Sequence, residues 1–112
     1  MSITGLLLVS TTVGSAEAAK QLAKQVVKQR LAACAQVLSP IQSIYWWDGQ
    51  LEELEESEEW LVLLKTTEAA WSKLEKALTE AHPYDVPQLI AVPIEAVHLP
   101  YKHWLNEQLS KG

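Results

Sequence analysis

The chain has 112 residues, a hydrophobic fraction of 48%, few glycines and prolines, and a formal net charge of −5. That length suits one domain with an ordinary core, spanning residues 1–112, and the composition excludes disordered and fibrous classes. The acidic balance argues against holding nucleic acid by phosphate neutralisation, or acidic lipid through a basic patch.

The first apolar run, Ile3 to Val9, is too short to cross a bilayer, and no basic region precedes it. The single cysteine, Cys34, cannot form an internal disulfide and fits a reducing compartment. The expectation is a cytoplasmic protein without membrane contact. Ile3 to Thr11 reads as a strand buried on both faces, ended by polar residues and Gly14. Ser15 can cap the helix that follows, with Glu17 favoured by the helix dipole. Ala18, Ala19, Leu22, Ala23, Val26 and Val27 fall at helical spacing, and this helix ends near Arg30.

From Ala32 to Trp47 the pattern turns to strand, and Pro40 implies an edge, a bulge or a bend. Asp48-Gly49 signals a tight hairpin turn. Leu51 to Trp60 is rich in Glu and Leu, so local propensity favours helix, while the hairpin requires a returning strand. One long strand to Lys65 meets the second demand, with its acidic part projecting as a ribbon arm. Thr66 or Thr67 then caps a second amphipathic helix carrying Ala70, Trp71, Leu74, Ala77, Leu78 and Ala81 inward. His82-Pro83 closes it, because the residue before proline avoids helical geometry. Gln88 to Val92 reads as a further strand stopped by Pro93, and a short helix runs from Pro100 to about Leu109. The order is that of an α+β, ferredoxin-like β-α-β-β-α-β sandwich. It carries a long hairpin arm between its second and third strands and a short C-terminal helix.

Candidate metal ligands are Cys34, His82, His98 and His103, but no pair of them has ligand spacing. The six glutamates between Glu52 and Glu59 read as a solvated edge that resists stray pairing, rather than a cation cage. There is no nucleophile elbow and no phosphate-cradling loop, so no catalytic residue is assigned and the chain is read as a non-enzyme. Five tryptophans stand against no phenylalanine. Trp46 and Trp47 are adjacent, so in a strand they point to opposite faces. A projecting arm cannot cover both rings, which argues for association with another subunit.

Five blocks identify a family. Arg30-Leu31-Ala32-Ala33-Cys34-Ala35 and Ser43-Ile44-Tyr45-Trp46-Trp47-Asp48-Gly49 closely resemble the CutA proteins of divalent-cation tolerance. So do Leu64-Lys65-Thr66-Thr67, His82-Pro83-Tyr84-Asp85-Val86-Pro87 and Tyr101-x-x-Trp104-Leu105. The resemblance implies a homotrimer with arms packed between subunits, an architecture similar to the nitrogen-regulatory PII trimers, and a role in copper tolerance. It also implies copper ligands at positions occupied here by Ser10, Ala81 and His82. Only His82 keeps a donor, so any copper or other divalent cation is expected to bind weakly. Trp47, Lys65, His82 and Tyr84 are further expected to line a cleft for an anionic or polar ligand.

Overall fold

The computed structural model describes residues 3–39, 41–54 and 59–111. The edge, bulge or bend expected at Pro40 and positions 55–58 of the expected long strand lie outside these residues. Strand β1 (Leu6–Val13) leads into helix α1 (Ala16–Lys28), and Ser15 Oγ accepts a hydrogen bond from the Ala18 amide at 3.1 Å. The cap expected from the sequence is therefore present. Ala19, Leu22, Ala23 and Val26 form the buried stripe of α1. Its C-terminus closes with Leu31 N–H on Val26 O and Arg30 N–H on Val27 O. Arg30 takes the left-handed conformation, φ 62°, that this closure requires.

The expected strand from Ala32 to Trp47 is two strands in different sheets, β2 (Cys34–Leu38) and β3 (Ser43–Trp47). The returning chain forms β4 (Gln50–Leu54) and β5 (Trp60–Thr67), again in different sheets. Residues 51–54 are strand, against their helical propensity, because each pairs with β3. Asp48 (φ 51°) and Gly49 (φ 75°) make the two-residue turn, flanked by the Trp47–Gln50 pair.

Helix α2 (Trp71–Ala81) starts later than expected, at an Ala70 N-cap without a side-chain cap. Thr66 and Thr67 stay in β5, where Thr66 is buried and its hydroxyl donates to Leu31 O at 2.7 Å. Thr67 Oγ1 instead accepts from the Ala70 amide at 3.2 Å and shapes the turn before α2. β6 (Ile90–Pro93) is an edge strand, so its terminal Pro93 leaves no ladder bond unmade inside the sheet. Helix α3 (Leu99–Ser110) carries Pro100 in its first turn.

The main sheet runs β2-β5-β1-β6, and every neighbouring pair is antiparallel. Leu7, Val9 and Val13 of β1 and Val62 and Leu64 of β5 face α1 and α2, meeting Leu22, Val26, Leu74 and Leu78 in one core. Both helices therefore lie on one face of a ferredoxin-like sheet. A second cluster joins Leu6, Ala33 and Leu105 of α3. The sequence implies burial on both faces of β1, but on the opposite face Leu8 and Ser10 are only half-buried. Their cross-strand neighbours Val92 and Ile90 are exposed.

Candidate functional site

The hairpin β3-β4 stands off the main sheet and bounds a cleft of about 810 Å³. Side chains alternate along a strand, so Ser43, Tyr45 and Trp47 share the face of β3 that lines this cleft. Glu59, placed just before β5, forms another part of the lining and is only 4% exposed. Its carboxylate accepts from Ser43 Oγ at 3.2 Å through one oxygen and from the Tyr84 hydroxyl at 3.4 Å through the other. Tyr84 and Asp85 supply the wall beyond α2. Burial pushes the Tyr84 phenol up to about 12, reinforced by the charge and hydrogen bond of Glu59 and by Tyr45. The phenol therefore stays protonated as a donor.

His82 sits behind Tyr84, the two rings tilted at 58° with centroids 4.8 Å apart. The histidine ends α2 with extended backbone (ψ 137°), as expected for a residue before proline. Its Nδ1 accepts from the Tyr84 amide at 3.1 Å, which leaves Nε2 as the protonated nitrogen. Nε2–H then donates to the Thr12 carbonyl at 2.9 Å. Burial lowers the His82 pKa, partly opposed by the Thr12 bond and by Glu59. Both ring nitrogens are thus engaged in a buried, neutral imidazole that pins α2 to β1.

Of the four residues expected to line a cleft, Trp47 and Tyr84 do so, His82 stands behind Tyr84 outside the lining, and Lys65 lies apart. Lys65 lies on β5 opposite Cys34 and Leu8, where its ammonium donates to Gln36 Oε1. Six residues separate it from Glu59, about 20 Å of extended chain. Glu59 and Asp85 both line the cleft, and no lysine or arginine does so among the described residues. The lining that one chain supplies is therefore acidic, without the lysine that entered the expectation of an anionic or polar ligand.

Nor do the residues fit a copper centre. Ser10 offers no thiol, Ala81 offers no donor, and both ring nitrogens of His82 are engaged. Among the described residues there is no group of three or more His, Cys, Asp or Glu side chains placed to hold a metal. Cys34 is half-buried, with Sγ 3.3 Å from the Tyr101 hydroxyl. His98 occupies the N-cap position of α3 without a side-chain capping bond, and His103 lies exposed along the helix.

Glu59 is the site residue that composition concealed, because it closes a run of glutamates that reads as solvated. Its signal was position, since it alone of the six abuts the apolar strand Trp60–Leu64.

The family model for the CutA1 divalent ion tolerance protein matches residues 7–108. A divalent-cation tolerance protein of Pyrococcus horikoshii is 38% identical over 106 residues, covering 95% of this chain and 100% of that one. The solved divalent cation tolerance protein of Thermus thermophilus superposes with a TM-score of 0.86 at 40% identity, covering 92% of this chain and 97% of that one. The CutA structure of Synechococcus elongatus gives 0.88 at 33% identity, with 97% and 94% covered. Sequence blocks, sheet order and these likenesses agree: the chain belongs to the CutA1 family of divalent-ion tolerance proteins.

Proposed function

We propose that the protein acts in divalent-cation tolerance as a cytosolic homotrimer, without a catalytic step of its own. The observation that carries this reading is apolar surface left uncovered by the single chain. Trp46 is 73% exposed and stands opposite Leu51, also exposed, on the side of the arm away from Tyr45 and Trp47. The open face of the main sheet adds Leu38, Ile90 and Val92, all exposed. Isolated soluble chains rarely leave contiguous apolar area of this kind in water. Packing of arms and open sheet faces between copies covers it, and the family membership supports three copies. The free Cys34 thiol accords with a reducing cytosol.

On this reading copper binds weakly, since a metal at His82 must displace the Thr12 carbonyl or the Tyr84 amide. Calorimetric titration with Cu(II) and with Cu(I) tests it, using the wild type and His82→Ala. Weak binding lost in the variant supports a direct contact, and equal binding or none removes His82 as a ligand.

A second reading is favoured by the cleft itself: the trimer senses a small ligand, as the PII trimers do. A thermal-shift panel of nucleotides, carboxylates, amines and metals tests it, because a ligand of the native state raises Tm. Silence across the panel would remove this reading.

A further inference from the structure

The charge and shape of the cleft identify the class of ligand. We propose that it binds a small organic ammonium ion, with the positive head set against Glu59 and its carbon groups against Tyr45, Trp47 and Tyr84. This rests on the ligand-sensing reading and narrows it.

The carboxylate of Glu59 is nearly removed from water yet has no cationic partner among the described residues. Two neutral hydroxyls, from Ser43 and Tyr84, occupy only part of its acceptor capacity, about four lone-pair sites. A buried charge balanced only by neutral donors gains most from a mobile cation. An anion is disfavoured because both charged groups on the lining, Glu59 and Asp85, are acidic. A hard divalent ion is disfavoured for a different reason. It asks for six or more oxygens at short range, and the described residues place no three metal-ligating acids, histidines or cysteines together.

The aromatic side chains settle between a bare and an alkylated cation. Tyr45 and Trp47 project from alternate positions on one face of β3, about 7 Å apart along the strand. Tyr84 lines the same cleft and is held to Glu59 by its hydroxyl. Ring faces attract alkylammonium groups electrostatically and also bury their methyl groups, which a hydrated metal ion cannot use. Among the three, Trp47 is 52% exposed, Tyr45 41% and Tyr84 38%, so ring surface is open to a ligand.

The test is calorimetric titration of the full-length protein in its native assembly with choline and with its neutral isostere 3,3-dimethyl-1-butanol. Citrate serves as the anionic probe. Choline is expected to bind at least about tenfold tighter than the isostere, a difference of about 1.4 kcal/mol. Glu59→Gln and Tyr45→Leu are each expected to weaken choline by about tenfold, while Lys65→Gln leaves it unchanged. Should Glu59→Gln fail to fold, Tyr45→Leu still decides, because it alters an exposed ring. Equal binding of choline and the isostere, or choline binding indifferent to both cleft variants, would overturn the ammonium assignment. Citrate binding in place of choline would overturn it while leaving the ligand-sensing cleft standing. Absence of binding by every probe would remove both.

Discussion

The Tyr84 hydroxyl donates to the Glu59 carboxylate at 3.4 Å, tying the turn after α2 to the residue that leads into β5. Two segments far apart in sequence are thereby joined at the floor of an acidic cleft. The bond also makes the phenol a reporter of the site.

Alkali should weaken the fold through this residue. The Tyr84 phenol titrates near 12 in the folded chain against 10.0 for a free phenol, so above pH 10.0 the unfolded chain loses its proton first. Stability from this residue is fully present below pH 10.0 and falls as the pH rises toward 12. Tyr84→Phe is expected to lower stability at neutral pH by about 1 kcal/mol and to flatten the alkaline decline. Urea melts across that range, compared between the two proteins, check it.

Acid should act through His82 in the opposite direction. Burial holds its folded pKa below 6.5, so the unfolded chain takes up the proton first as pH falls. The stability contributed by the neutral imidazole is present above 6.5 and is lost as pH drops through the lowered value. His82→Gln is expected to be less stable at neutral pH and to show a shallower acid dependence. A nitrogen-15 spectrum of the histidines should further find the Nε2–H form at His82, as its two hydrogen bonds require.

Thr11 offers a gain rather than a loss. Its side chain is 0% exposed on the helix-facing side of β1, and its hydroxyl is the buried polar atom without a partner among the described residues. Thr11→Val keeps the branched shape and removes an unmade hydrogen bond, so stability should rise by about 1 kcal/mol. A thermal melt monitored by circular dichroism reads the shift in Tm.

The turn of the arm is equally specific. Gly49 has φ 75°, and a Cβ there would meet nothing within 4 Å, so the demand is conformational and not spatial. Gly49→Ala is expected to cost about 1 to 2 kcal/mol, read by chemical denaturation. Gly49→Asn should cost less, since Asn tolerates the left-handed region better.

Local chemistry made much of the fold legible. Ser15 capped α1, Asp48-Gly49 turned the arm, and His82-Pro83 ended α2, because each acts through its own backbone neighbours. Longer-range effects were not legible. Thr66 resembled a helix cap until the Leu31 carbonyl, brought close by the sheet, took its hydroxyl. The sequence groups Lys65 with His82 and Tyr84, yet the length of β5 carries it to the neighbourhood of Cys34 and Gln36. Glu59 was hidden for the same reason, since its burial depends on Ser43 and Tyr84 arriving from separate segments. Trp46 and Trp47 were the exception. Their adjacency implies that a projecting arm leaves ring surface uncovered, and both rings are exposed in the single chain.

Sedimentation equilibrium tests most directly whether copies of the chain associate through the arm. The wild type should sediment at micromolar concentration with three times the 12.5 kDa chain mass. Trp46→Glu, which places a charge on the uncovered face of the arm, should shift the mass toward the single chain. A wild type that sediments as a monomer, or a trimer indifferent to Trp46→Glu and to the equivalent change at Leu51, would contradict it.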